Sequence, residues 1–201
     1  NARKCGYTIV DATCPMVKEI HRIAQGMERK GYRIVIIGDE KHDEVQGIIG
    51  QLKRRALVIE NAHDIPIMRI KRFKKVAVVV QSTQNLETVN GIVASLKQHI
   101  RQLKFFNTIC NPTRTRQAEI KRLPRENDCI VIIGSKSSAN TKRLYEISKS
   151  LNPRSYWVRR KNEVKREWFL GARKVGIISG ASTPDYITQD TIRFIKRVGV
   201  V

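Results

Sequence analysis

A cysteine-centred pattern occurs twice in this chain, and a sequence that repeats at this spacing has to fold as repeated units. The first copy is Asp11-Ala12-Thr13-Cys14-Pro15 and the second is Asn107-Thr108-Ile109-Cys110-Asn111-Pro112. Each cysteine closes a short apolar-rich run and opens a segment that reads as helix. Each is followed, 24 residues on, by a glycine that ends a buried-looking strand: the run 34–37 before Gly38, and the run 130–133 before Gly134. Later in each half a second β-branched run ends in small hydroxyl residues. The run 76–80 leads to Gln81-Ser82-Thr83, and 175–178 leads to Ser179-Gly180-Ala181-Ser182-Thr183.

The periodicity between these landmarks alternates. A short β-rich run, 7–11, leads into Cys14. From Pro15 the apolar positions Val17, Ile20, Ile23, Ala24 and Met27 recur at three and four and predict a helix. Pro15 suits its first turn, where a missing N–H costs nothing, and Gly31 suits its end. The unbroken run 34–37 predicts a strand buried on both faces. A polar loop over 38–44 and a short helix over 45–50 follow, then strands at 57–59 and 76–80. Between those strands, 62–70 is ambiguous, with Pro66 breaking any helix. Leu86, Val89, Ile92, Val93 and Leu96 mark the next helix. The second half predicts a helix over 113–123 ended by Pro124, a strand over 129–133, a polar loop over 134–140 and a helix over 144–151. A strand over 156–158, a Lys/Arg-rich connection, a strand over 175–178 and a helix over 188–198 complete it. Strands alternating with helices imply an α/β fold, two repeated small parallel-sheet units. Ligands of such sheets bind at the carboxyl ends of the strands. Both cysteines and all four glycine or hydroxyl loops are expected to follow strands and to share that rim.

Composition narrows the function classes. Lys and Arg number 39 against 18 Asp and Glu, a net charge of +21. That excess raises nucleic-acid or anionic-membrane binding. The cations are spread along the chain, however, and the clusters Lys53-Arg54-Arg55, 71–75 and Arg159-Arg160-Lys161 fall where loops belong. A solvated basic surface is the favoured reading, with a non-catalytic α/β module binding RNA or another polyanion as the alternative function. No apolar run approaches the roughly 20 residues of a membrane span. The chain opens at Asn1 without a leader pattern, which reads as a fragment or a processed chain. Four cysteines at irregular spacing fit a reducing compartment.

Chemistry points to few residues. Cys14 and Cys110 are either small buried hydrophobes or thiolates from equivalent loops. The repeat favours the second reading, with both converging on a metal or an iron–sulfur cluster. Zinc is less attractive, since there is no Cys-x-x-Cys and no nearby Cys/His pair. Cys5 and Cys129 read as structural. His42 and Glu44 place an imidazole and a carboxylate on the cysteine rim, suited to acid/base or phosphate work. Ser135-Lys136-Ser137-Ser138-Ala139-Asn140 follows a glycine and precedes a helix, an arrangement that makes an oxyanion pocket. Capping by Ser138 or Asn140 would explain one such residue, but not a cluster matched by Ser82 and by Ser182-Thr183. Neither a Walker motif nor Gly-x-Gly-x-x-Gly is present.

Taken together these segments resemble the LytB-type 4-hydroxy-3-methylbut-2-enyl diphosphate reductases of the non-mevalonate isoprenoid pathway. The resemblance rests on Asp11-Ala12-Thr13-Cys14-Pro15, on His42-x-Glu44-Val45-x-Gly47, and on Gln81-Ser82-Thr83. It extends to Ile109-Cys110 with Thr113, Arg116 and Gln117, to Gly134-Ser135-Lys136 through Asn140, and to Gly180-Ala181-Ser182-Thr183-Pro184-Asp185. It implies a pseudo-threefold architecture of three α/β units around a [4Fe-4S] cluster held by one cysteine from each. Residues 1–14 would then be the remainder of the first unit, 15–107 the second, and 108–201 the third with its closing helix. Cys14 and Cys110 would be cluster ligands, and Glu44 would feed the proton that removes the substrate hydroxyl. His42, Ser82, Ser138, Asn140 and Ser182 would bind the allylic diphosphate. A ferredoxin or flavodoxin would supply electrons, in the cytoplasm or a plastid, with no membrane partner. The family's first unit, with its cysteine and two histidines, would be absent from the 201 residues. Two departures from the family pattern stand out: Ser82 replaces a usual threonine and Ala139 a usual serine.

Overall fold

In a computed structural model of the chain, residues 5–8 and 10–198 are described. The chain divides into two compact units, Asn1–Ser82 with Glu87–Thr108, and Thr83–Leu86 with Ile109–Val201.

The first unit runs α1 (Pro15–Arg29), β1 (Arg33–Ile37), α2 (Asp43–Gly50), β2 (Leu57–Ile59), α3 (Ile67–Ile70), β3 (Lys75–Val80), α4 (Leu86–His99) and β4 (Gln102–Phe105), with a 3-10 turn at Ala62–Asp64. Its four strands lie in the order β2-β1-β3-β4, all parallel. The apolar stripe of α1, Ile20, Ala24 and Met27, packs with Ile34 and Ile36 of β1, Ala77 and Val79 of β3, and Val45 and Ile48 of α2. The alternate residues Val35, Ile37, Val78 and Val80 are fully buried as well. Burial on both faces is why these strands read as unbroken apolar runs rather than alternating ones.

The second unit contains α5 (Asn111–Glu126), β5 (Cys129–Ile133), α6 (Ala139–Leu151), β6 (Ser155–Val158), β7 (Val175–Ser179) and α7 (Asp185–Val198). Two 3-10 turns, Lys161–Glu163 and Arg166–Phe169, fill the connection rich in Lys and Arg. Its parallel sheet has the order β6-β5-β7. One face holds Val131, Ile133, Val158, Phe169 and Ile195; the other holds Ile120, Ile130, Ile132 and Leu144.

Several boundaries differ from the sequence reading. Helices begin earlier than their apolar periodicity does: α2 at Asp43, α6 at Ala139 and α7 at Asp185. Their first turns are polar because the leading N–H groups face ligands, caps or water. Pro124 lies inside the last turn of α5 instead of ending it. The ambiguous stretch 62–70 is a 3-10 turn and the single helical turn α3, with Pro66 at its N-cap. The strand β4 goes unread in the sequence, being a four-residue edge strand with two exposed residues. Tyr7, Thr8, Val10 and Asp11 form no strand, so Cys14 does not follow one among the described residues; Ile9 lies outside them.

Candidate functional site

Both sheets reverse direction about their first strand. In the first unit the chain leaves β1 toward β2 on one side and returns to β3 on the other, so the loops after β1 and β3 flank a crevice at the carboxyl rim. Gly38 is required there, because a Cβ would lie 2.8 Å from the Gln81 Oε1 and the Val45 side chain. The buried Gln81 accepts the Asp39 N–H through Oε1 at 2.9 Å, tying the two loops together.

His42, Glu44 and Ser82 meet at this crevice. His42 is the N-cap of α2, and its Nδ1 accepts the Glu44 N–H at 3.2 Å. That bond leaves Nδ1 without a proton and puts the neutral ring's proton on Nε2. The half-buried Glu44 carboxylate accepts two bonds from Ser82. The backbone N–H reaches Oε1 and the hydroxyl reaches Oε2, each at 2.6 Å. Thr108, buried at the end of the unit, exchanges two bonds with Val80, at 2.7 and 2.6 Å, and fixes the strand that delivers Ser82. Its importance is invisible in sequence, because the partner is 28 residues away.

The second unit repeats this plan around β5, with β6 on one side and β7 on the other. Ser138 caps α6, its hydroxyl accepting the Thr141 N–H at 3.2 Å. Asn140, in the first turn, is only 4% exposed, and its Nδ2 has no partner. The Thr141 hydroxyl is likewise buried without a partner and packs under Gly134, where a Cβ would lie 2.5 Å from it. An unsatisfied buried donor costs about 1–3 kcal/mol and calls for an explanation. A cleft of about 220 Å³ opens between the loops after β5, β6 and β7, lined by Gly134, Ser135, Arg159, Ser182 and Thr183 among others. Ser182 is exposed on its rim. Arg159 is the cation that sequence reasoning passes over as part of a solvated run; its Nε donates to Glu163 at 2.6 Å. Trp157 donates to the Gly134 carbonyl at 3.0 Å and fixes the loop after β5.

The two repeated cysteines both stand at helix N-termini with proline close behind. Cys14 is the N-cap of α1 and exposed; Cys110 is the N-cap of α5 and half-buried. Both are free thiols. The turn before Cys14 is shaped by Asp11, whose carboxylate accepts the Thr13 N–H at 3.0 Å and pairs with Lys18 at 2.8 Å. Those two contacts hold the Asp11 carboxyl well below the usual carboxylate range. Cys110 Sγ lies 3.0 Å from the hydroxyl of the fully buried Thr113. Cys129 is buried in the sheet, and burial pushes its thiol up to about 11, consistent with an inert core residue. Cys5, expected to be structural, is exposed instead. Among the described residues, no three His, Cys, Asp or Glu side chains converge as a metal site, and no helix is long and apolar enough to cross a membrane.

The profile of the LytB protein family matches residues 1–196. The 4-hydroxy-3-methylbut-2-enyl diphosphate reductase of Aquifex aeolicus (strain VF5) is 40% identical over 199 residues, covering 98% of this chain and 68% of its own length. The reductase of the same name from Geobacter metallireducens is 37% identical over 190 residues, 94% of this chain and 67% of its own. A solved structure of (E)-4-hydroxy-3-methyl-but-2-enyl diphosphate reductase, described as the terminal enzyme of the non-mevalonate pathway, superposes with a TM-score of 0.65. It shares 41% identity and covers 97% of this chain and 70% of that one. A second, the E-1-hydroxy-2-methyl-but-2-enyl-4-diphosphate reductase from Plasmodium falciparum, superposes with a TM-score of 0.80. Its identity is 27%, covering 93% of this chain and 59% of that one. The chain thus spans about two thirds of the length of these relatives, and it belongs to the LytB family.

Proposed function

We propose that this chain serves the reductive dehydroxylation of 4-hydroxy-3-methylbut-2-enyl diphosphate. Two electrons and two protons enter, the C–O bond of the allylic alcohol breaks, and water leaves with isopentenyl or dimethylallyl diphosphate as product. The two units would be the second and third of the family's three, divided as 15–107 and 108–201. A ferredoxin- or flavodoxin-type donor would deliver the electrons.

The cysteines suit a thiolate-held [4Fe-4S] cluster one by one. Each opens a helix, and the Thr113 hydroxyl lies 3.0 Å from the Cys110 sulfur, within hydrogen-bond reach. Cys14 and Cys110 would supply two of its three protein ligands. When bound, the cluster supplies the electrons and a Lewis-acidic iron for the substrate oxygen.

The protein's own residues account for the rest. With Nδ1 engaged as a cap, His42 would present its Nε2 proton to a diphosphate oxygen. Ser182 and the Ser138 hydroxyl proton would add donors, and the orphaned Asn140 Nδ2 gains a partner when an anion arrives. Glu44 would hold the proton for the departing hydroxyl on Oε2, steered by the Ser82 hydroxyl.

The observation that most supports this reading is the Glu44–Ser82 contact. It joins residues 38 apart that the family resemblance assigns to one reaction. The test is Glu44→Gln in a full-length reductase carrying these residues. The amide keeps an acceptor for Ser82 and lacks the transferable proton, so turnover is expected to fall by about 10²-fold or more with iron content unchanged. Near-normal turnover at full iron content would remove Glu44 from the mechanism.

A further inference from the structure

The first unit is electrically polarised along its strands. Its carboxyl rim carries Asp39, Glu40, Asp43, Glu44 and Glu60, each in a segment that follows β1 or β2, against Lys41 in the same segment as the first four. The opposite edge, where the strands begin, is basic. Arg33 opens β1 and Lys75 opens β3, Arg55 precedes β2, and Arg101 precedes β4.

At that edge a cleft of about 790 Å³ lies between the segments entering β3 and β4. Its walls carry Lys71, Arg72, Lys74 and Arg101, joined by Phe73, His99 and Gln102, and no carboxylate. The four cations are exposed, and none takes part in an ion pair among the described residues. Glu28, an acid of neighbouring α1, is already engaged by the Lys53 and Arg54 N–H groups at 3.0 and 2.8 Å. Four like charges around one concavity repel each other, and a bound polyanion removes that cost.

The aromatic rings of this edge narrow the ligand. Arg33 lies over Phe73 at 5.1 Å, and Lys75 and Lys104 lie over Tyr32 at 5.7 and 5.4 Å. Tyr32 is buried and Phe73 is half-buried beside Arg33, so exposed charge rather than exposed ring dominates this edge. A concave wall also suits a strand better than a planar bilayer. We infer that this cleft binds the sugar-phosphate backbone of single-stranded nucleic acid without reading its sequence, on the edge of the first unit opposite the carboxyl rim that carries His42 and Glu44.

The probe is a fluorescein-labelled mixed-sequence RNA of about 20 nucleotides, titrated with the 201-residue chain and followed by anisotropy. Four phosphate contacts on a single strand give a slope of about −2.8 in log K against log salt. Affinity is then expected to fall about fifty-fold between 50 and 200 mM salt. The combined variant Lys71→Glu, Arg72→Glu, Lys74→Glu is expected to lose at least tenfold in affinity and to flatten the slope. A matched reversal in the second unit at the exposed Lys165, Arg166 and Lys196 should lose less than threefold. Circular dichroism checks that each variant folds; if the triple variant does not, Arg101→Glu alone is compared with Lys196→Glu. Equal losses from cleft and control variants overturn the proposal, as does a wild-type affinity indifferent to salt. Met68 is exposed in α3, just ahead of the cleft, so vesicles of equimolar phosphatidylglycerol and phosphatidylcholine form a third arm. Tighter binding to these vesicles than to RNA would assign the edge to a membrane surface and refute the inference.

Discussion

Asn140 gives the sharpest test of the proposed diphosphate contacts, because function and structure predict opposite signs. Its side chain is 4% exposed and Nδ2 makes no hydrogen bond in the ligand-free protein. An amide donor buried without a partner destabilises by about 1–3 kcal/mol. Asn140→Ala removes that donor and restores a good helix former in the first turn of α6. Against this stands the loss of a few packing contacts, on the order of 1 kcal/mol. The net is a ligand-free protein between unchanged and about 2 kcal/mol more stable. At roughly 2–4 °C per kcal/mol for a chain of this size, its melting temperature should hold or rise by a few degrees. Binding moves the other way. A donor to a charged oxygen contributes about 1–3 kcal/mol, so substrate affinity of a full-length reductase carrying the change should drop about 5- to 150-fold. Differential scanning calorimetry of the ligand-free protein and isothermal titration with the allylic diphosphate read the two quantities separately. A melting temperature lowered by more than about 5 °C with unchanged affinity would show that Asn140 is an internal brace, and the argument from its orphaned amide would fail.

Two further predictions rest on the cysteines. Burial pushes the Cys129 thiol from an ordinary 9.0 up to about 11, so the folded state resists its ionisation. A raised folded pKa means the contribution is complete below about pH 9 and is lost as pH climbs toward 11. The stability gap between wild type and Cys129→Val should therefore narrow, or shift in favour of Val, by about 2 kcal/mol between pH 8 and pH 11 in urea unfolding; a gap that stays constant would mean the thiol is solvated. The second prediction concerns the 201 residues as they stand, which would offer Cys14 and Cys110 as two of the three thiolates of the proposed cluster. Reconstituted anaerobically with iron and sulfide, this chain should hold no stoichiometric four-iron cluster; iron and sulfide analysis with an absorbance spectrum would expose the error by finding four of each.

Much of this molecule is legible in the order of its residues. Unbroken apolar runs before Gly38, Gln81-Ser82 and Gly134 announce parallel strands, because burial on both faces leaves no polar alternation to confuse the pattern. The twice-repeated cysteine places two thiols at helix starts, where Pro15 and Pro112 fit a first turn. These are local properties, carried by spacing and composition within a dozen residues. What tertiary structure decided is which groups already have partners. Ser138 proves to be a cap while Asn140, two residues on, is left unpaired; His42 spends Nδ1 on its own helix; Glu44 of α2 is claimed by Ser82 from the loop after β3. The same holds for Thr113 against Cys110 and for Thr108 clamping Val80. It holds also for the basic cleft, whose cations come from segments about 30 residues apart. A hydrogen bond depends on the register of neighbouring strands and on helix docking to within a few tenths of an ångström, and no local pattern of residue types encodes that distance.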